Sequence, residues 1–364
     1  MDVTDTGSQP HTLNDLDRVI DLYMYEDVRP GNPNLLPGGA GAICYYGLAT
    51  CARLGGTELE AWVDRLGVHL AEHPVLGEDF RVEFEGRIWR AMRDVSQRGT
   101  QISIRRLPTA APALSDIRMT SLVRDLLAAS WLNDGGLVLL CGLTGQGKTT
   151  VAGATIRTRL EKFGGRCLGV EDVAEVPLEG LWGHGSCRQL AVDYTTEDPN
   201  RRGFAGAIRR AYRSMPATRP AILFVGEVRD AETATEVVKA AANGMLVITT
   251  AHSYDPASAL LRLSSLAKAT MGDAADIALA QAVRMVMHMS LRLRPDETGW
   301  TRGSYTPSLL FSDGPAHALA NLIRKANYAG MADIMERQKG KIDQVSRKGG
   351  NVEELLAQLS ATGG

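Results

Sequence analysis

One glycine-rich octapeptide constrains the fold of this chain more than any other feature of its sequence. Residues 142–149 read Gly-Leu-Thr-Gly-Gln-Gly-Lys-Thr and match the pattern G-x-x-x-x-G-K-[ST] in full. A short apolar run at 137–141 precedes the motif, and a helix-compatible stretch at 149–163 follows it. Glycines let backbone N–H groups converge on phosphate oxygens, and a helix N-terminus adds positive potential. Strand, loop and helix in this order therefore predict a nucleotide-binding loop.

The side chains of this loop predict separate roles. Lys148 is expected against the β- and γ-phosphates, and the Thr149 hydroxyl is expected to bind Mg²⁺. The candidate nucleotide-binding residues are Gly142, Thr144, Gly145, Gln146, Gly147, Lys148, Thr149 and Thr150. The loop alone does not distinguish a motor from a small-molecule kinase or a GTPase. The sequence has no Asn-Lys-x-Asp motif of the kind that reads guanine, which disfavours a GTPase.

Further apolar runs indicate the fold class. The segments 167–170, 221–225 and 246–250 are short and apolar, like the run at 137–141. Helix-compatible stretches separate the first and the last of these four runs from their neighbours. This pattern predicts an α/β fold with a mostly parallel sheet covered by helices. The chain has 364 residues, which is too long for one ordinary core and predicts two domains. Apolar spacing near the amino-terminal end predicts a helix over 58–73, and charged alternation predicts short strands over 81–106.

The remaining segments are interpreted as a linker and a carboxyl-terminal region. Two prolines among small residues at 108–115 keep the backbone extended, which is typical of a linker. From about residue 276 the pattern predicts mainly helix, with a loop over 295–314. The alternating methionines 285, 287 and 289 are interpreted as core residues rather than cofactor contacts.

Acidic residues and a histidine follow the predicted strands. Glu227 comes just after one apolar run, His252 follows another, and the acids between Glu171 and Glu175 follow a third. Ligands of such sheets lie at the carboxyl ends of strands, so these side chains are expected at one edge. Glu227 is placed to polarise water or hold the Mg²⁺ shell, whereas Asp230 is compatible with a cap of the next helix.

Composition excludes several classes of protein. The formal net charge is −2 and aromatic residues make up 5%, which disfavours a bulk basic surface or a stacking groove for nucleic acid. No apolar run approaches the ~18 residues of a membrane span. The first 19 residues are polar and acidic, unlike a secretory signal. Five scattered cysteines indicate a reducing cytoplasm.

Three motifs together resemble the bacterial type II and type IV secretion ATPases. They are Gly-Glu-Val-Arg-Asp-Ala-Glu-Thr at 226–233, Ala-Ala-Ala-Asn-Gly at 240–244 and Thr-Thr-Ala-His-Ser at 249–253. The resemblance implies a PAS-like α+β domain joined by a flexible linker to a RecA-like P-loop ATPase domain. It also implies a ring of six subunits, with ATP bound between the two domains near a subunit boundary. The predicted domains are 1–107 (PAS-like), 108–118 (linker), 119–295 (RecA-like) and 296–364 (helical carboxyl-terminal region).

The resemblance also implies catalytic roles. Glu171-Asp172 with Glu175 is similar to the family's Asp box, in which Glu175 falls at the acid that activates the attacking water. Glu227 falls at the Walker B acid, which with Thr149 would hold Mg²⁺. His252 falls at the histidine of the His box.

Two arginines of the first domain complete the predicted site. Arg90 and Arg105 lie where the family sends arginines to the nucleotide phosphates, and such arginines stabilise transition-state charge. Exposed charge at a strand edge is the alternative interpretation. The sequence departs from the family at Val173, where the Asp box has proline, and at Met245, where relatives often have a second histidine.

The branch of the family stays open between two machines. The segments 229–233, 249–253 and 101–105 look more like the Dot/Icm and plasmid-conjugation ATPases, which favours a secretion or conjugation motor. The segment 318–325 is instead similar to a motif of PilT-type pilus-retraction motors. The four-cysteine zinc element of pilus-extension and type II secretion ATPases is absent from the sequence.

The expected partners follow from the family. A homo-hexamer is expected in the cytoplasm, docked through protein partners on an inner-membrane secretion, conjugation or pilus complex, with ATP and Mg²⁺ as ligands. Direct nucleic-acid binding is not expected. Clusters such as Arg201-Arg202 keep a nucleic-acid-stimulated RecA-like ATPase open as a function, and the departures at Val173 and Met245 keep open a scaffold that does not hydrolyse ATP.

Overall fold

The structure is a computed structural model, and it divides the chain into two compact units. The first unit comprises Met1–Thr109 with Leu293–Gly303, and the second comprises Ala110–Arg292 with Ser304–Gly364. The described residues are 12, 13, 16, 19–27, 38, 39, 42–46, 50–54, 58–72, 79–97, 99–216, 220–295, 301–305 and 307–361. Most of the amino-terminal stretch on which the absence of a secretory signal is predicted lies outside them.

The first unit is an antiparallel sheet with one long helix. Its elements are β1 (Val19–Tyr25), β2 (Ile43–Tyr46), β3 (Thr50–Arg53), α1 (Glu58–Leu70), β4 (Asp79–Phe84), β5 (Arg87–Ser96) and β6 (Gly99–Leu107). The strand order is β3-β2-β1-β6-β5-β4, with antiparallel neighbours. The predicted helix and strands of this region are confirmed. The apolar residues of α1 recur at helical spacing and are buried, so packing against the sheet accounts for the helix.

Two tryptophans and one buried ion pair organise the core of the first unit. Trp62 of α1 and Trp89 of β5 are fully buried, with ring centroids 5.5 Å apart. Arg93 is also buried, and its guanidinium donates to Glu26 at 2.6 Å and to the Leu70 carbonyl at 2.8 Å. The ion pair and the carbonyl partner offset part of the cost of burying that charge.

The second unit contains the predicted parallel sheet. Its strands are β7 (Gly136–Cys141), β8 (Gly165–Glu171), β9 (Gly180–Trp182), β10 (Gly185–Ala191), β11 (Ala221–Val225), β12 (Leu246–Ala251), β13 (Val283–His288) and β16 (Ser308–Phe311). The order is β16-β13-β7-β12-β11-β8-β10-β9. The neighbours from β13 to β10 are parallel, and the two edge strands pair antiparallel.

Helices cover both faces of this sheet. They are α2 (Ser121–Leu127), α3 (Lys148–Phe163), α4 (Gly203–Ser214), α5 (Ala231–Ala242), α6 (Pro256–Met271), α7 (Ala274–Ala282), α8 (Ala318–Arg324), α9 (Met331–Arg347) and α10 (Val352–Ala361). Successive residues of β7 point to opposite faces, so Leu137 and Leu139 join one core and Val138 and Leu140 join the other. Helices α2, α3 and α10 pack on the second core, and α4 to α8 pack on the first.

The expectation for the carboxyl-terminal region is wrong in one respect. Residues 283–311 contain strands β13 and β16, and also β14 (Leu291–Pro295) and β15 (Thr301–Tyr305), which form a two-stranded sheet. The expected loop covers 295–314, of which 296–300 and 306 lie outside the described residues. The strand β13 was not predicted because it pairs with a strand on each side. Such a strand is a nearly continuous apolar run, without the periodicity that identifies a strand from sequence. Methionines 285, 287 and 289 are fully buried, which confirms them as core.

Part of the predicted linker packs into the second unit. Ala111, Leu114 and Ile117 are buried in one of its cores, and a 3₁₀ helix spans Leu114–Asp116. The division between the units falls between Thr109 and Ala110. Within the described part of the chain, no helix has the length and apolar character needed to cross a membrane.

Candidate nucleotide-binding site

The glycine-rich loop lies between β7 and α3, and its backbone geometry requires glycine. Gly147 has φ 70° and caps the amino-terminal end of α3, a left-handed conformation that other residues rarely adopt. A β-carbon there would also collide with the Tyr305 hydroxyl. At Gly142, which is buried, a β-carbon would lie 2.7 Å from the Met289 carbonyl oxygen. The loop is thus packed tightly on its inner side.

The loop side chains have different surroundings. The Gln146 side-chain oxygen accepts a hydrogen bond of 2.6 Å from the Leu291 backbone N–H, which fixes the middle of the loop. Thr144 and Gly145 are exposed, whereas Thr149 and Thr150 are half-buried in the first turn of α3.

Lys148 is buried at the start of α3, and its ammonium faces its own loop. It donates to the carbonyls of Gly142 at 3.0 Å and Leu143 at 2.9 Å. Burial lowers its pKa, while the nearby carboxylates of Glu227 and Glu175 act in the opposite direction. A buried ammonium held by two backbone carbonyls can turn to phosphate oxygens, so the loop fits a nucleoside triphosphate.

Glu227 and His252 converge on this lysine from two neighbouring strands. His252 Nδ1 lies 3.5 Å from the Lys148 amino nitrogen, and His252 Nε2 lies 3.6 Å from Glu227 Oε1. Burial lowers the pKa of His252, and the Lys148 ammonium lowers it further. The structure therefore brings together three of the residues predicted from sequence. It also confirms Asp230 as a helix cap, since its carboxylate accepts from the Thr233 backbone N–H at 2.7 Å.

Arg229 is a site residue that the sequence reasoning missed. Its guanidinium donates from Nε to Glu227 Oε2 at 2.9 Å and lies 3.3 Å from Asp172 Oδ2. The Tyr194 hydroxyl donates to the other Asp172 oxygen at 2.6 Å. One arginine thus joins the acid after β11 to the acid after β8. The only signal in the sequence is its place two residues beyond Glu227, which by itself indicates no role.

The acids after β8 lie in unlike environments. Glu171 is the last residue of β8 and is 5% exposed, and burial raises the pKa of its carboxyl to about 7. The Gln189 side-chain nitrogen donates to it at 2.8 Å. Glu175 is half-buried and lies close enough to Lys148 to interact with its charge. The predicted water-activating acid therefore lies near the lysine that is predicted to bind phosphate.

The two predicted arginines belong to the first unit. Arg90 of β5 and Arg105 of β6 are cross-strand neighbours. Arg90 pairs with Asp79 at 2.5 Å, and Arg105 pairs with Asp21 at 2.7 Å. Opposed like charges destabilise a sheet, and the two carboxylates offset that repulsion. The assignment of these arginines to the nucleotide phosphates stays a prediction.

The candidate metal ligands are few. Among the described residues, no group of three or more histidines, cysteines or acids could hold a metal ion. Mg²⁺ at phosphate sites commonly takes one or two protein oxygens together with substrate phosphates and water. Thr149 and Glu227, whose hydroxyl and carboxylate are donors of that kind, remain the predicted ligands. The site as a whole carries an ammonium, a hydroxyl, carboxylates and an imidazole, a set suited to phosphoryl transfer.

Comparisons with known proteins identify the family of the chain. A family described as "Type II/IV secretion system protein" matches residues 91–354. The uncharacterized protein YggR of Escherichia coli K12 is 26% identical over 276 residues, covering 73% of this chain and 79% of YggR. The type IV pilus ATPase PilU of Pseudomonas aeruginosa is 27% identical over 236 residues, covering 64% of this chain and 56% of PilU. The chain thus spans little more than half of that relative.

Solved structures show the same fold. The ATPase DotB of Legionella pneumophila matches with a TM-score of 0.60 and 18% identity, covering 90% of this chain and 88% of DotB. The pilus retraction motor PilT with bound ADP matches with a TM-score of 0.61 and 21% identity, covering 96% and 97%. These similarities confirm the predicted α/β fold with a RecA-like sheet. The chain belongs to the type II/IV secretion system protein family and is an ATP hydrolase.

Proposed function

We propose that this chain is a ring-forming, hexameric ATPase that hydrolyses ATP to power a type IV secretion or conjugation machine. The observation that carries the proposal is the convergence of Lys148, Glu227 and His252 beside the glycine-rich loop. These groups come from three separate segments of one sheet edge, where ligands of such sheets bind. A phosphate-binding loop with an acid and a histidine at this distance supports hydrolysis rather than binding alone.

The residues suggest how the reaction is catalysed. Lys148 leaves its loop carbonyls and neutralises the β- and γ-phosphates, while the loop N–H groups hold the phosphate oxygens. Thr149 and Glu227 would hold Mg²⁺, which would neutralise phosphate charge when bound. Glu175 accepts a proton from the attacking water. Because the pKa of His252 is lowered, its imidazole is neutral at neutral pH. A neutral imidazole can orient the Glu227 carboxylate without neutralising its negative charge.

The remaining parts of the proposal concern assembly. Arg90 and Arg105 are proposed to contact the nucleotide phosphates and to stabilise the transition-state charge, as the resemblance to the family implies. The ring works in the cytoplasm, bound through protein partners to an inner-membrane complex. The motifs at 229–233 and 249–253 support the Dot/Icm or conjugation branch.

A pilus-retraction motor is the second candidate. Its support is the segment that forms α8 (Ala318–Arg324), together with the similarity to PilU and to the PilT fold. Expression of the chain in a retraction-defective strain tests this second candidate. Restored twitching motility would favour the retraction motor, and restored DNA transfer in a conjugation-defective strain would favour the first proposal.

The specific ATPase rate measured against protein concentration tests the enzyme and the ring together. Glu227→Gln is the inactive variant, and Glu232→Gln is the matched control, since Glu232 is an exposed acid of the following helix. We expect a rate that rises steeply and saturates, because sites shared between subunits form only on assembly. A rate no higher than that of Glu227→Gln at every concentration would refute hydrolysis. A flat rate from a chain that sizes as a monomer would refute the ring.

A further inference from the structure

Gln189 of β10 forms hydrogen bonds with a single neighbouring segment through every polar atom of its side chain. Its oxygen accepts from the backbone N–H groups of Leu178 at 2.9 Å and Glu179 at 3.0 Å. Its nitrogen donates to Glu171 Oε1 at 2.8 Å and to the Val176 carbonyl at 2.9 Å. A primary amide has two donor hydrogens and two acceptor lone pairs, so this side chain is fully satisfied. All four partners lie between residues 171 and 179.

Gln189 reaches these partners from the neighbouring strand. It pairs with Gly169 of β8 in the parallel ladder. A β-carbon at Gly169 would lie 3.4 Å from the Gln189 Cγ and 3.5 Å from the Glu171 Oε1, which are ordinary van der Waals distances. The pairing of β10 with β8, rather than the absence of a side chain at residue 169, therefore places the amide at the end of β8. The backbone N–H of Gln189 also donates to the Glu179 carboxylate at 2.5 Å, which closes the far end of the segment.

The same segment is docked on the phosphate-binding helix. Val176 is 2% exposed, and a β-carbon added at Gly153 of α3 would lie 2.8 Å from its Cγ1. The Val176 side chain therefore packs directly against the backbone of α3 at Gly153. Since α3 begins at Lys148, this contact at Gly153 fixes the position of the segment relative to the amino-terminal end of the helix.

Glu175 lies between these two anchor points. Its backbone N–H is hydrogen-bonded to the Glu171 carboxylate, and the next residue, Val176, carries both the Gln189 bond and the contact with α3. The backbone on either side of Glu175 is thus held, while its side chain remains within reach of the Lys148 charge. A general base needs this kind of constraint, because a small displacement from the attacking water costs much of its effect.

We propose that Gln189 is a positioning residue that sets the carboxylate of Glu175 relative to the phosphate-binding loop. The inference rests on the proposed role of Glu175 as the acid that activates water. Gln189 acts on the reaction only through the segment 171–179 and makes no contact with substrate itself. Nucleotide binding, which depends on the loop and Lys148, does not require it.

Steady-state kinetics of Gln189→Ala test the proposal, at a protein concentration that saturates the specific rate. We expect kcat to fall by about 10- to 100-fold, the size typical of a displaced catalytic group. The KM for ATP and the affinity for a non-hydrolysable ATP analogue stay within about twofold, because the loop is intact. Gln189→Glu, which keeps the shape but loses the two donor hydrogens and faces Glu171, is expected to show the same split.

A matched control separates positioning from loss of stability. Gln338→Ala also removes a side-chain amide that bonds to backbone groups, but at Phe311, away from the site. Its kcat per folded protein is expected to equal that of the wild type. Equal falls in kcat for the two variants, or a Gln189→Ala kcat within about twofold of the wild type, would overturn the proposal.

A double-mutant cycle identifies the group through which Gln189 acts. Single-turnover rates are compared for Gln189→Ala, Glu175→Gln and the double variant. If Gln189 acts through Glu175, its substitution lowers the rate of the Glu175→Gln protein by less than about twofold. A full loss in that background would refute the positioning role. A wild-type rate in Glu175→Gln itself would refute the assigned base, whereas an inactive Glu175→Gln with a fully active Gln189→Ala would refute only the positioning role.

Discussion

A buried carboxyl at the end of β8 predicts that the second unit loses stability as the pH rises from mildly acidic to neutral. Glu171 is 5% exposed, and burial raises the pKa of its carboxyl from 4.5 to about 7. The folded chain therefore binds a proton at this site more tightly than the unfolded chain. For an acid with a raised folded pKa, the stabilisation is fully present below pH 4.5 and is lost as the pH rises through 7.

The magnitude follows from the two pKa values. They differ by about 2.5, and each unit corresponds to ~1.4 kcal/mol, so the full effect is ~3 kcal/mol. Because some deprotonation of the unfolded chain has already occurred at pH 5, the change between pH 5 and pH 8 is smaller, ~2 kcal/mol. Glu171→Gln removes the titrating group, so the variant lacks this part of the pH dependence.

Urea unfolding of both proteins without nucleotide, at pH 5 and pH 8, measures the effect. The substitution also disturbs hydrogen bonds to Gln189 and Glu175, but that cost is present at both pH values and cancels in the difference. We expect the wild type to lose ~2 kcal/mol more than Glu171→Gln between the two pH values. Glu197→Gln, which removes an exposed acid, is the control and should follow the wild type.

Parallel changes in stability with pH for the wild type and Glu171→Gln would contradict this prediction. That result would mean that the Glu171 carboxyl is ionised in the folded chain at pH 5, so that burial does not dominate its environment. An NMR titration of the carboxyl carbon would then give a pKa near that of an exposed glutamate.

Two further substitutions separate structural from catalytic roles. Gln338 is fully buried in α9, and its amide bonds to the N–H and carbonyl of Phe311 at the edge of β16, at 2.8 and 2.9 Å. Gln338→Ala leaves both groups unsatisfied, so urea unfolding should show a loss of ~2–4 kcal/mol. Arg229→Ala should change stability by less than ~1 kcal/mol, because that side chain is 55% exposed and its ion pairs are screened. Its kcat should nevertheless fall about tenfold, since Glu227 loses its orienting donor.

Simple controls accompany these two substitutions. Arg188→Ala removes an exposed arginine of β10 and should leave kcat unchanged. An unfolding free energy within ~0.5 kcal/mol of the wild type for Gln338→Ala would show that water replaces its bonds. An unchanged kcat for Arg229→Ala would show that Glu227 is oriented by His252 and the backbone alone.

The parts of the fold that could be predicted are those with a local signal. The glycine loop could be predicted between a strand and a helix because its motif is contiguous in sequence, and glycine at 147 permits the positive φ of the turn. Helix α1 follows from apolar spacing that any helix needs in order to bury one face. Strand β13 could not be predicted in the same way, because its apolar residues are buried from both sides of the sheet and lack a clear period.

The site residues also differ in whether a local signal in the sequence identifies them. Glu227 and His252 could be placed near Lys148 because each follows an apolar strand, and the carboxyl ends of parallel strands meet at one edge. The positions of Glu227 and His252 near Lys148 can be predicted without knowing the order of the strands. The role of Gln189 depends instead on β10 lying beside β8 in one register, with Gln189 opposite Gly169. A slip of one residue would turn this side chain to the other face of the sheet. No pattern within β10 predicts that pairing. Residues that act through a neighbouring strand can therefore be identified only from the folded chain. Residues that act on the substrate can be found from the sequence.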